Sequence, residues 1–196
     1  KSSWAIAFPL KEGVQFSSLE NKIADAPQVI EFFSFYCPPC AAFANTYKVS
    51  DAIDTKLAGV SRLTKYHVSS MGEIGPSLTE AWSVAILLGV ESKMEPILFS
   101  AVQQSRSIHD EADIRQLFIS AGISEIQYDA TKNSFAAKAL TAKQEHAVRN
   151  FRVTGTPSVY VMGSYLVHNN GISVQSPKEY AQKFAEIVST LLIIKP

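Results

Sequence analysis

The chain has little cysteine, no excess of either charge and no long apolar run. Only Cys37 and Cys40 occur in 196 residues, which excludes a small domain stapled by disulfides. Lys and Arg number 18 against 18 Asp and Glu. No basic footprint announces a nucleic-acid partner, and none is expected. No apolar stretch reaches the roughly 20 residues of a bilayer-spanning helix. The run at residues 187–194 is too short and lies at the C-terminal end. With 46% hydrophobic and 18% charged residues, the length suits one domain, or one domain carrying an insertion, with a core to bury. A first residue of Lys1 rather than methionine fits a mature protein after signal-peptide removal, or an engineered start.

Both cysteines fall in Phe32-Phe33-Ser34-Phe35-Tyr36-Cys37-Pro38-Pro39-Cys40. Residues 28–36 read as a buried strand: nearly all apolar, rich in aromatics and preceded by Pro27. Glu31 interrupts that run and shares a face with Val29, Phe33 and Phe35. A carboxylate there is costly unless it is partnered or working, or unless it reaches solvent from the strand end. Cys37 then takes the N-cap, and Pro38 the first helical position, where a missing N–H costs nothing. Cys40 lies three residues on, along the same helical face, in a helix expected to run to about Val49. A Cys37–Cys40 bond closes a loop of about four residues. It would constrain the unfolded chain by roughly 2 kcal/mol, against about 3 for fifteen residues. That is a poor staple, and reactivity explains the pair better.

Before this stretch, Val14-Gln15-Phe16 suits a short strand and Ser17-Ser18-Leu19-Glu20 has capping-box spacing. After it, residues 61–68 alternate as a strand does, giving strand, helix, strand: a βαβ unit with a parallel pair. From Met71 the character turns helical. Ser77-Leu78-Thr79-Glu80 is a second capping box, and residues 91–105, 110–121, 124–133 and 134–150 carry helical spacing, with Gly122 as a stop. Strand signals return at residues 158–162 and 165–168, a hairpin around Gly163-Ser164. Ser176-Pro177-Lys178-Glu179 opens a last helix to about Leu192. The class is α/β.

This order of elements resembles a thioredoxin fold with an inserted all-helical domain, the layout of the DsbA family of periplasmic disulfide oxidases. The resemblance covers nearly the whole chain. Ala26-Pro27-Gln28-Val29-Ile30-Glu31-Phe32-Phe33-Ser34-Phe35, Thr64-Lys65-Tyr66-His67-Val68 and Asn133-Ser134-Phe135 carry it, and the Cys-Pro-Pro-Cys core is similar to the SrgA-type branch. It implies a discontinuous thioredoxin-like domain, 1–70 with 144–196, around a helical domain, 71–143. It makes Cys37 the attacked cysteine and Cys40 the buried resolving one. Pro157 matches the family's cis-proline, preceded by Thr156, although Gly155-Thr156-Pro157 alone would also suit an ordinary trans loop. Glu31 and Lys65 match an acidic and basic pair that moves protons to and from Cys40; each alone also reads as a solvated charge. Phe35, Tyr36, Pro38, Pro39, Thr156 and Pro157 would offer substrates an apolar surface. The resemblance implies no metal and no cofactor beyond the redox-active disulfide. Its implied substrates are reduced, unfolded secreted proteins, its reoxidant a DsbB-type membrane quinone reductase, its state a monomer and its compartment the periplasm.

Pro39 departs from the family's best-known members, which carry histidine there. Proline removes a backbone N–H from the first turn and a side chain that can be cationic. Cys37 is therefore expected to be less acidic, and the protein less oxidising. Three rivals stand beside this reading. A reductase or isomerase could use the same fold, but the usual isomerase needs a dimerisation region for which the residues before Val14 leave no room. A zinc site needs two further ligands. There is no second Cys-x-x-Cys, and His67, His109, His146 and His168 are isolated. A non-catalytic peptide-binding module would use the same apolar surface.

Overall fold

The structure is a computed structural model, and it describes residues 9–194. The expectation that places residues 1–8 in the first domain lies outside the described residues. Five strands are β1 (Phe16–Ser18), β2 (Val29–Phe33), β3 (Leu63–His67), β4 (Ser158–Val161) and β5 (Tyr165–Val167). They form one sheet in the order β1-β5-β4-β2-β3, with β5 antiparallel to both β1 and β4. Between β2 and β3 come α1 (Pro38–Ala41), a π-helical turn (Ala42–Thr46) and α2 (Val49–Lys56). Five helices follow β3: α3 (Gly75–Leu88), α4 (Glu91–Gln103), α5 (Glu111–Ser120), α6 (Glu125–Lys132) and α7 (Phe135–Asn150). The hairpin β4–β5 leads to α8 (Pro177–Ile193).

The chain forms two compact units. Among the described residues, one holds 9–31, Thr46–Thr64 and 158–194. There α8 packs on α2, β4 and β5, and Phe184, Ile187, Val188 and Leu191 on α8 are fully buried. The other holds Phe32–Asn45 and Lys65–Pro157. In it α3 packs on α4, α5, α6 and α7. Its core runs from Leu78, Trp82, Leu98 and Phe118 on the helices to Phe33, Phe35, Cys37 and Cys40.

Ser176 caps its helix as its sequence signal predicts, and Asp110, Ser124 and Ser134, where helical spacing begins, also accept the backbone N–H three residues on. Others differ. Ser17 and Ser18 do not open a helix; they pair with Leu166 and Tyr165 in the sheet. The strand there starts at Phe16, later than expected. The helix credited to Ser77 begins at Gly75, with Pro76 in its first turn, so Ser77 lies inside it. Where one helix was expected from Cys37 to Val49, the chain passes through the π-helical turn and then Lys48, whose φ of 55° is left-handed and ends it. The hairpin turns one residue early, on Met162 and Gly163, both at positive φ.

Candidate active site

Beyond Phe33 the chain leaves the ladder, and Ser34-Phe35-Tyr36 carries it to Cys37. An extended backbone (φ −93°, ψ 110°) makes Cys37 the N-cap of α1, with Pro38 and Pro39 next. Neither proline has an N–H, so the first donor of the helix is that of Cys40. It is shared, reaching Cys37 Sγ at 3.2 Å and the Cys37 carbonyl at 3.1 Å. Cys37 and Cys40 form a disulfide, with Cα atoms 5.2 Å apart. Both cysteines are buried, at 3% and 1% exposure, beneath exposed Pro38 and Pro39. The Thr156 carbonyl oxygen stands 3.5 Å from Cys37 Sγ. The Thr156–Pro157 peptide bond is cis, and the Thr156 hydroxyl donates to Met71 Sδ at 3.5 Å.

Side chains hold the chain entering Cys37. Gln103, at the end of α4, donates from Nε2 to the Phe35 carbonyl at 2.8 Å and to the Cys37 carbonyl at 3.0 Å. The Phe35 N–H donates to His67 Nε2 at 3.1 Å. With Nε2 accepting, the imidazole hydrogen is on Nδ1, which lies 2.9 Å from Thr79 Oγ1. Burial pushes the His67 pKa down to about 3, so the ring is neutral. Tyr36 is half-buried; its hydroxyl accepts the Ile74 N–H at 3.2 Å.

Phe35 is not surface. It is fully buried, stacked on His67 and packed edge-on against Phe33, Trp82 and Phe99. Its place in the expected substrate-facing surface is corrected, because four neighbouring rings cover it. Glu31 is buried at 1% exposure and accepts the Ser50 hydroxyl at 2.9 Å, which discards the solvated strand-end reading. Lys65 is not a solvated charge either. Its Nζ lies 2.8 Å from Glu95, with side-chain exposures of 12% and 17%, and 4.7 Å above the Phe33 ring. Sequence reasoning missed Gln103, Glu95 and Ser50, and took His67 for an isolated residue. Glu95 falls in an unremarkable helical stretch, and Gln103 gave no signal beyond its place at a helix end. Among the described residues, no group of three or more His, Cys, Asp or Glu side chains is placed to hold a metal ion.

A disulfide whose N-cap sulfur receives a backbone N–H is built for thiol–disulfide exchange, because that N–H favours the thiolate over the thiol. Comparisons with known proteins agree. Residues 28–182 match the DSBA-like thioredoxin domain. The chain is 43% identical over 188 residues to the thiol:disulfide interchange protein DsbA of Dickeya dadantii, covering 96% of this chain and 91% of that protein. It is 41% identical over 184 residues to DsbA of Yersinia pestis, covering 94% and 89%. Among solved structures it is similar to the disulfide oxidoreductase DsbA from Proteus mirabilis. The TM-score is 0.92 at 41% identity, covering 95% of this chain and 98% of that one. SrgA of Salmonella enterica serovar Typhimurium has a TM-score of 0.85 at 40% identity, covering 91% and 99%. A bonded sulfur pair opening a helix and these likenesses along nearly the whole chain have one meaning: the protein belongs to the DsbA-like thioredoxin-domain family and is a thiol:disulfide oxidoreductase working through Cys37 and Cys40.

Proposed function

We propose that the protein runs its exchange in the oxidising direction, introducing disulfide bonds into reduced, unfolded secreted proteins in the periplasm. The observation that carries this is the Cys40 N–H aimed at Cys37 Sγ. A donor that favours the Cys37 thiolate stabilises the dithiol form, and a stabilised dithiol makes its disulfide the stronger oxidant. A substrate thiolate attacks Cys37 Sγ, the Cys37–Cys40 bond breaks, and Cys40 leaves as a thiolate that takes up a proton. A second substrate thiolate then attacks the substrate sulfur of the mixed disulfide. Cys37 leaves as a thiolate, the substrate gains its disulfide, and the two electrons stay on the protein as Cys37 and Cys40. Attack falls on Cys37 because it opens the helix beneath the exposed prolines, whereas Cys40 lies one turn in.

The remaining roles follow. The substrate chain lies along Thr156 and Pro157, beside Cys37, and touches Tyr36, Pro38 and Pro39. Phe35 acts only from below, by packing. Glu31 and Lys65 move protons to and from Cys40, each held in place by a partner, Ser50 and Glu95 respectively. A solved Proteus mirabilis DsbA variant holds a non-covalently bound peptide, which supports peptide substrates here. A DsbB-type membrane quinone reductase would reoxidise the dithiol, and the protein would act as a monomer. We also assign 71–143 as a helical insertion in a thioredoxin-like domain formed by 1–70 and 144–196. The absence of strands from 71–143 supports it, although the boundary falls within α7.

The test is the equilibrium constant of the Cys37–Cys40 disulfide in glutathione buffers. An oxidase is expected to stay reduced where thioredoxin is oxidised, and a thioredoxin-like value would overturn the assignment. The expected complete loss of exchange in Cys37→Ser, measured on a reduced unfolded substrate, opposes a binding module without catalysis.

A further inference from the structure

Gln103 stands on α4, 68 residues from Phe35 in sequence, and spends its amide group on two backbone carbonyls at the mouth of the Cys-x-x-Cys turn. Its orientation is fixed by chemistry: an amide oxygen in that place would face two carbonyl oxygens, so Nε2 must point there, one hydrogen to each. The carbonyls flank Tyr36. One of them, that of Cys37, has more suitors than the other. It accepts the Cys40 N–H at 3.1 Å and the Ala41 N–H at 3.2 Å, besides Nε2 at 3.0 Å.

The Cys40 N–H is also the donor that reaches Cys37 Sγ, at 3.2 Å. Pro38 and Pro39 supply none. Carbonyl and sulfur thus compete for one hydrogen, and a donor arriving at the carbonyl from elsewhere shifts that competition toward the sulfur. We propose that Gln103 is a positioning residue for the exchange reaction: by occupying the Cys37 carbonyl and pinning that of Phe35, it releases the Cys40 N–H to the Cys37 thiolate. In a turn with amino acids other than proline at 38 and 39, further N–H groups would share this duty. Here one N–H carries it, and Gln103 decides where that N–H goes.

The inference rests on exchange through Cys37, but its test is a difference between variants. A failed oxidase assignment would instead appear in the wild-type equilibrium constant itself. Gln103→Met keeps the length and removes both donors. The Cys37 pKa, read from thiolate absorbance against pH, is expected to rise by about one unit. The equilibrium protein disulfide + 2 glutathione ⇌ protein dithiol + glutathione disulfide is expected to shift about tenfold to the left, the same unit read at constant pH. Gln103→Glu, unable to donate when ionised, should move both readouts the same way at neutral pH. A structural role alone would lower the melting temperature of both redox forms and leave pKa and equilibrium constant at wild-type values; that result overturns the proposal. A measurement on the wild-type protein stands whether or not the variants fold. The Gln103 side-chain amide hydrogens should be protected from solvent exchange in both redox forms, and free exchange in the reduced form overturns the proposal.

Discussion

The His67 imidazole accepts the backbone N–H of Phe35 at 3.1 Å, and this bond ties the end of β3 to the segment that delivers Cys37. Both groups are fully buried. Around the ring the partners are neutral: Thr79 Oγ1 at Nδ1, the Phe35 ring stacked at 5.2 Å, and the Phe33 ring edge-on at 5.3 Å. A proton on Nε2 would replace an acceptor with a donor facing the Phe35 N–H. Burial and that clash of donors act in the same direction.

A pH dependence of stability follows from this ring. Its folded pKa is about 3, below the ordinary 6.5, so in this window the unfolded chain binds the proton more readily than the folded one. The contribution is fully present above pH 6.5 and is lost as pH falls toward 3, at about 1.4 kcal/mol per pH unit. Denaturant titrations of the oxidised protein at pH 6.5 and pH 5 should differ by about 2 kcal/mol through this group alone. A His67 imidazole NMR signal titrating near its ordinary pKa in the folded protein would contradict the expectation.

The pair Lys65 and Glu95 should couple strongly. Their charged atoms are 2.8 Å apart and both side chains are mostly buried, so removing one leaves a charge in a poor dielectric. Glu95→Ala is expected to cost about 3 kcal/mol, whereas exchanging both residues for apolar ones of similar size should cost much less. A double-mutant cycle with Lys65→Met and Glu95→Leu, followed by urea denaturation, measures the difference. Additive single effects would mean that the ion pair contributes nothing specific.

Gly72 controls the ring of Tyr36. Its φ is 77°, and a Cβ built on it runs into the Tyr36 ring. A β-carbon would therefore both strain the backbone and displace a residue next to Cys37. Gly72→Ala is expected to destabilise the protein by roughly 1–3 kcal/mol. In Tyr36→Phe, which removes the acceptor of the Ile74 N–H, the loss should be about 1 kcal/mol. Thermal unfolding of the two variants checks the ranking; equal or reversed losses would place the constraint elsewhere.

What could be foreseen from the sequence was what is local. Cys37 as N-cap, Pro38 behind it, the cap at Ser176 and the helical spacing that begins at Asp110, Ser124 and Ser134 need only near neighbours in the chain. The capping box at Ser17 failed because a distant partner, β5, claimed the backbone of Ser17 and Ser18 for the sheet. Phe35 was misplaced for a related reason: alternation places a side chain on a face, but only the folded α3 and α4 decide whether Trp82 and Phe99 will cover it. Gln103, His67 and Glu95 act across 68, 32 and 30 residues of chain respectively. No periodicity records such partnerships. The nucleophile was legible, while its supporting shell arises only with the fold.

The tuning of Cys37 by Pro39 can be stated as a substitution. Pro38 and Pro39 remove two N–H groups from the first turn, leaving the Cys40 N–H on Cys37 Sγ. Pro39→His restores one backbone donor within reach of the turn and adds an imidazole that is cationic below its pKa of about 6.5. Position 39 is exposed, so the new side chain has room and the fold no reason to object. Both additions favour the thiolate, so the Cys37 pKa should fall by at least about one unit, worth about 1.4 kcal/mol. The reduced form should gain the same stability over the oxidised one, making the disulfide correspondingly more oxidising. Thiolate absorbance against pH gives the first quantity, and the glutathione equilibrium the second. The two should move together, since both contain the free energy of the Cys37 thiolate; a fallen pKa with an unchanged equilibrium constant would place the compensation in the disulfide form. An unchanged pKa would mean that the single N–H of Cys40, directed by Gln103, already supplies what the prolines withhold.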